Sequence, residues 1–263
     1  MRPLLPLITA FLLAYLFAGR AGFLGGVLIL VSVVFLGLLI SALSGPELVE
    51  LSDSFGEIAG RIKNLVRRAG LRGVSVYVLE DYLPNAYSTG KKVILSLGLF
   101  EVLDEDEVLG VVAHELGHIR NRDTLLFPLL AYFRIFAFVF PFVMWAFTGS
   151  FLAFLLYMTL YIWFEAERSR FLKGREFRAD DFAVRILDVP MSLKYALEEL
   201  KNYEDLMVRV KKGINPGIEP KIERHGRGRT YRKPGIVFFP THPSYEERIF
   251  RIVPLLEELR SRA

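Results

Sequence analysis

The chain has no cysteine and no glutamine, and only four histidines in 263 residues. Without cysteine there can be no disulfide, no thiolate metal site and no cysteine nucleophile. Loss of Cys and Gln beside plentiful Lys, Arg and Glu is a thermophile-like bias. Recognition motifs for nucleic acid and aromatic stacking platforms are also missing. The net charge of +4 and pI near 9.2 therefore fit juxtamembrane charge, and no nucleic-acid partner is expected. The short basic stretch Gly226-Arg227-Gly228-Arg229 is read as a solvated or lipid-facing loop.

What the chain has in excess is apolar sequence. Hydrophobic residues make up 52% of it, mean hydropathy is +0.35, and they collect in four runs, which points to a membrane protein. Residues 4–18 and 23–42 form the first pair, joined by Gly19-Arg20-Ala21-Gly22. The second run has the length of a spanning helix; the first is short and could be a cleaved signal, but an uncleaved helical hairpin is the favoured reading. Residues 124–147 and 151–164 form the second pair, the last of them short enough for a re-entrant hairpin. Arg134 lies in the third run and must snorkel or pair there. Basic residues follow the second and fourth runs, while the hairpin turns hold only Arg20. The positive-inside rule then places both polar blocks and both termini in the cytoplasm.

Between and after the runs, the polar blocks have patterns of their own. Residues 47–69 show helical periodicity, and β-rich stretches at 74–79 and 92–96 flank the turn-rich segment 84–90, predicting two or three antiparallel strands with an exposed edge. Asp104 with Glu107 predicts the N-terminus of a helix over 105–122. Further helices are expected over 175–187 and 193–210, then a basic loop over 211–235, a short strand at 236–239 and a last helix opened by Pro243 and kinked or divided by Pro254.

Two of the four histidines, His114 and His118, flank Glu115 in a His-Glu-x-x-His frame on the 105–122 helix. Residues four apart share a helical face, so both imidazoles can address one metal ion. Glu115, about 100° round the helix, is placed to reach a water on that metal. A third ligand is needed. Glu176 and Asp180 share a helical face as well; one carboxylate could bind the metal while the other holds a ligand imidazole, or the pair could be an ordinary charged face.

Together these pieces resemble the M48 family of integral-membrane metallopeptidases, in particular its HtpX-type heat-shock proteases. The resemblance rests on Asn85-Ala86 with Gly90, on His114 to His118 continuing through Ile119-Arg120-Asn121-Arg122-Asp123, on Glu176 with Asp180, and on His242-Pro243 with Arg248. It implies a mainly α fold with a small β-sheet: a zincin-like metallopeptidase domain joined to four transmembrane or membrane-embedded helices in two hairpins. The corresponding division is 1–44 (hairpin), 45–123 (first peptidase part), 124–165 (hairpin) and 166–263 (second peptidase part). It further implies one Zn2+ per chain on His114, His118 and Glu176, with Glu115 as general base and acid and Asp180 orienting a ligand histidine. Asn85 and Ala86 would lie on an edge strand that takes an extended peptide by β-augmentation. His242 and Arg248 would be a C-terminal pair near the active site, although a histidine before proline also suits a structural turn. The activity implied is that of a multi-pass cell-membrane endopeptidase acting on unfolded or damaged membrane proteins at the cytoplasmic face, in stress response and quality control. The rival readings are a Ste24-type prenyl-protein peptidase, for which the chain is short, a membrane adaptor with a structural zinc site, and a transporter built around Arg134.

Overall fold

The computed structural model describes residues 2–43, 48–51, 56–213 and 242–262. The basic loop beyond Gly213 and the strand expected at 236–239 fall outside the described residues. The chain divides into two compact units. One holds α1 (Leu4–Leu43) and the segment Leu125–Gly174; the other is built on Pro46–Thr124, on α7 (Ser192–Gly213) and α8 (Tyr245–Arg262), and on the chain from Arg175. Helix α5 (Asp123–Thr148) and helix α6 (Phe151–Ile186) each contribute to both.

In the first unit α1 is two helical arms. The break is at Gly19 (φ 60°, ψ −154°), a conformation that costs glycine little. Beyond it the arms fold back on each other: the Phe11 and Phe23 rings meet edge-on at 5.8 Å, and a Cβ on Gly26 would touch the Phe11 ring. The two arms of α1 therefore form a helical hairpin. Its packed side joins Leu7, Ala10 and Ala14 to Phe136, Phe140, Met144, Tyr157 and Phe164. Its other side exposes Leu12, Leu16, Leu24, Leu28, Val31 and Phe35, an apolar exterior suited to lipid. Among the described residues, two helical stretches, Leu4–Ile40 and Asp123–Thr148, are long and apolar enough to cross a membrane. Arg134 pairs: its Nε lies 3.3 Å from Glu165 Oε1, and Arg168 grips the same carboxylate at 3.0 and 2.9 Å.

The second unit contains β1 (Val49–Glu50), α2 (Glu57–Arg68), β2 (Ser75–Leu79), β3 (Ala86–Thr89), β4 (Lys92–Ser96), a short α3 (Leu97–Val102) and α4 (Glu105–Arg120). The sheet order is β1-β2-β4-β3. The sheet is mixed, not antiparallel: β2 and β4 run parallel, Ser75 opposite Lys92 through Leu79 opposite Ser96. The physical reason is the two-residue turn at Gly90-Lys91, which folds β3 antiparallel onto the outer side of β4 and leaves the inner side for β2. Nor does the expected helix begin at residue 47, since Val49 and Glu50 pair with Val78 and Tyr77. The helix starts only at Glu57, after Gly56 at φ 68°. Residues 175–186 are the last turns of α6, not a separate helix, because Gly174 just before them has no positive φ and the helix runs through it. Pro254 sits inside α8 without dividing it. The core joins Ile62, Leu65, Val93, Leu95, Val112, Leu116, Ala183, Leu197 and Ile252, so the sheet and α2, α4, α6, α7 and α8 share one apolar interior.

Candidate metal centre

Helix α4 begins with a complete capping box: the Asp104 side chain accepts from the Glu107 backbone, and Glu107 accepts from that of Asp104. Two glycines seven residues apart on one face let neighbours approach. A Cβ on Gly110 would stand 2.9 Å from the Leu193 backbone of α7, and one on Gly117 would stand 2.9 Å from the Cα of Ala179 on α6. His114 and Glu115 lie between these two backbone contacts and His118 directly follows the second, all three buried.

Glu176 on α6 faces both histidines. Its Oε2 is 3.5 Å from His114 Nε2 and its Oε1 is 3.7 Å from His118 Nε2, while the two Nε2 atoms are 3.1 Å apart. One ligand atom from each residue falls within 4.8 Å of the others. The far nitrogens are engaged elsewhere: His114 Nδ1 meets Asp180 Oδ1 at 2.8 Å, and His118 Nδ1 meets Asp123 Oδ2 at 2.9 Å. Arg248 Nη2 also lies 3.1 Å from His114 Nδ1. That nitrogen cannot both donate to Asp180 and accept from Arg248, and the shorter, charged contact to the carboxylate favours Nδ1–H donating to Asp180. With both Nδ1 protons so placed, the two Nε2 lone pairs point at one spot beside Glu176.

Electrostatics supports a cation there. Burial pulls the His118 pKa down, but hydrogen bonds to Asp123 and Glu176 and the nearby Glu115 charge outweigh it and push it up to about 10. His114 is also raised: burial and Arg248 oppose, and Asp180 and Glu176 prevail. Asp180 shows the mirror effect, held below the usual carboxylate range by Arg248 and His114 despite burial. Glu115, Asp123, Glu176 and Asp180 are four buried carboxylates. Two guanidiniums, Arg175 and Arg248, pair with members of this cluster, leaving two negative charges with neutral imidazoles, a deficit that a divalent ion balances. Two nitrogens bound tetrahedrally at zinc distances sit about 3.3 Å apart, close to the separation of the two Nε2 atoms. The residues fit a divalent metal of borderline softness, by donor type and by spacing.

Glu115 lies next to His114 on the chain, and among the described residues no hydrogen bond or ion pair holds its carboxylate. Arg248 is brought to the site from behind, on Asp180 and His114, at 2.6 to 3.1 Å. His242 is exposed, ahead of α8, and is not among the clustered ligands. Ala86 opens the edge strand β3 and Asn85 directly precedes it: the backbone of Asn85 bonds inward to Ser96, its N–H donating to the Ser96 hydroxyl and its C=O accepting from the Ser96 N–H. By strand alternation, Ala86 and Ser88 turn their backbone groups to the free edge. Sequence reasoning gave no role to Asp123 or Arg175; the signal available was an aspartate five residues after His118.

Comparison with known proteins agrees with this geometry. The model of peptidase family M48 matches residues 52–255. A protease HtpX homologue from Pyrococcus abyssi is 27% identical, with 97% of this chain and 95% of that protein covered. One from Aquifex aeolicus is 29% identical over 75% of this chain and 71% of its own length, and one from Thermococcus kodakarensis 29% over 77% and 74%. The chain therefore belongs to peptidase family M48, as a metalloprotease of the HtpX type.

Proposed function

We propose that this chain is a membrane-bound zinc endopeptidase that cleaves unfolded or damaged polypeptides, membrane proteins among them, at the cytoplasmic face. The observation that carries the reading is the convergence of His114, His118 and Glu176 on one spot, beside a buried carboxylate, Glu115, that no hydrogen bond or ion pair among the described residues occupies. In this reading the three residues hold the zinc, which when bound supplies the Lewis acidity that acidifies water and polarises the scissile carbonyl. Glu115 takes a proton from the attacking water and delivers it to the leaving amine. Asp180 holds the His114 ring, and Arg248 holds Asp180; Arg248 thus acts behind the ligands and not on the reacting carbonyl. The edge of β3 at Ala86 and Ser88 pairs with an extended substrate backbone, so binding depends little on side chains. Two hairpins with four crossings or embedded segments keep the peptidase at the membrane, and the basic residues after each hairpin favour the cytoplasmic side.

The test is Glu115→Gln in the purified full chain. Zinc content by elemental analysis should stay near one per chain, while cleavage of casein falls by at least about 1000-fold, the upper part of the range for losing a general base. Retained cleavage would reject the assignment, and so would an absence of zinc from the unmodified protein.

A further inference from the structure

We infer that Asp123, locked by Arg175, is a positioning residue for His118 and that the αL joint at Arg122 exists to deliver it. The inference rests on the metal-site reading above.

In an unbroken helix Asp123 would be five residues, or about 140° of rotation, from His118 and would face away from it. The chain avoids this with a single residue. Helix α4 ends at Arg120 with Asn121 as its C-cap, Arg122 takes φ 60°, and α5 begins directly at Asp123. Arg122 is the one non-glycine residue with positive φ among those described, and such a residue is held in place by its surroundings. The reversal puts Asp123 Oδ2 2.9 Å from His118 Nδ1, with the carboxylate fully buried.

Arg175 then closes the joint. Its Nε donates to Asp123 Oδ1, and its Nη2 donates to the carbonyl of Asn121, the C-cap of α4. One guanidinium thus spans both sides of the joint and leaves Asp123 a single free direction, toward His118. Arg175 also precedes Glu176, so the side chain that locks Asp123 sits one residue from the third ligand. The arrangement parallels the other histidine: Asp180 holds His114 and Arg248 holds Asp180. Each imidazole is backed by an aspartate, and each aspartate by an arginine from a different helix. A ring fixed at Nδ1 keeps the Nε2 lone pair on the metal side, which is what a ligand tautomer requires.

The experiment uses the full chain in detergent, stripped of metal, with zinc affinity read by competition with a chromophoric chelator and site geometry by the visible spectrum of the cobalt(II)-loaded protein. Asp123→Ala should weaken zinc binding by about 10- to 100-fold, and Asp123→Asn, which keeps an oxygen acceptor for Nδ1–H, should recover part of that loss. At saturating cobalt the spectrum of both should differ from that of the unmodified chain, a change that a role in folding alone would not cause. Should Asp123→Ala fail to fold because it orphans Arg175, the isosteric Asp123→Asn decides. Affinity within threefold of the unmodified chain and an unchanged cobalt spectrum overturn the inference. If the unmodified chain itself binds no metal, the reading of the whole site fails and this inference with it; if it binds and the variants bind equally, only this inference fails.

Discussion

The backbones of Gly117 and Ala179 are in contact: a Cβ on Gly117 would lie 2.9 Å from the Ala179 Cα and 3.0 Å from its carbonyl oxygen. Gly117 stands one residue before His118 and Ala179 one before Asp180, so the closeness of these two helices sets how near the carboxylates come to the imidazoles. What the added atom would strike is backbone, which cannot rotate aside. Gly117→Val should therefore lower stability by about 2–3 kcal/mol as an overpacked core does, and weaken zinc binding with it. Gly60→Ala, in open space on α2, should instead raise stability by about 0.5–1 kcal/mol. Thermal melts and chelator competition on the two variants check the contrast; equal effects would show that the approach at Gly117 carries no constraint.

Stability of the metal-free protein should fall as pH rises. His118 is pushed up to about 10 in the folded chain, against about 6.5 when unfolded. The stabilisation it gives is complete below about 6.5 and is lost as pH climbs through 10. Zinc competes for the same nitrogen, so its apparent affinity should rise across that window as the proton leaves. Asp180 works in the opposite sense: its folded pKa is lowered, so its contribution is present above about 4 and is lost in acid. Melting temperatures of stripped protein at pH 6 and pH 9.5 test the first point, and a flat or rising series would contradict it.

In the other unit, Glu165 is shared by Arg134 and Arg168, but the two arginines are unequal. Arg168 is 7% exposed and Arg134 53%. Glu165→Ala strands a buried guanidinium and should cost about 3–5 kcal/mol, whereas Arg134→Ala removes a half-exposed partner and should cost less than about 1 kcal/mol. Melts in one detergent would rank them, and the reverse order would refute the account.

The local parts of this structure were legible in the sequence because they depend on spacing. The histidine pair, the capping box at Asp104 and the hairpin break at Gly19 each follow from residues a few positions apart. Glu176 was also legible, although only as half of a carboxylate pair whose roles the residues alone did not divide. The parallel pairing of β2 with β4 was not, since neighbouring β-rich stretches give no sign that β3 will take the outer edge. Asp123 was hidden for a different reason. Its closeness to His118 requires Arg122 to adopt a left-handed conformation, and nothing in an arginine announces that. For His242, beside a proline, the residues left a place near the site and a structural turn both open; the structure shows it exposed just ahead of α8, while Arg248 meets Asp180 and His114.

Strand β3 has four residues, a ruler of about 13 Å at 3.3 Å per residue. A chain that pairs along its free edge must be straight over that whole distance and must have its own backbone groups unspent. A helix meets neither demand, and a strand already inside a sheet meets only the first. Under the proposed reading, the edge would filter polypeptides by the state of their folding: what would make a protein vulnerable is a momentary loss of its own hydrogen bonds, whatever its sequence.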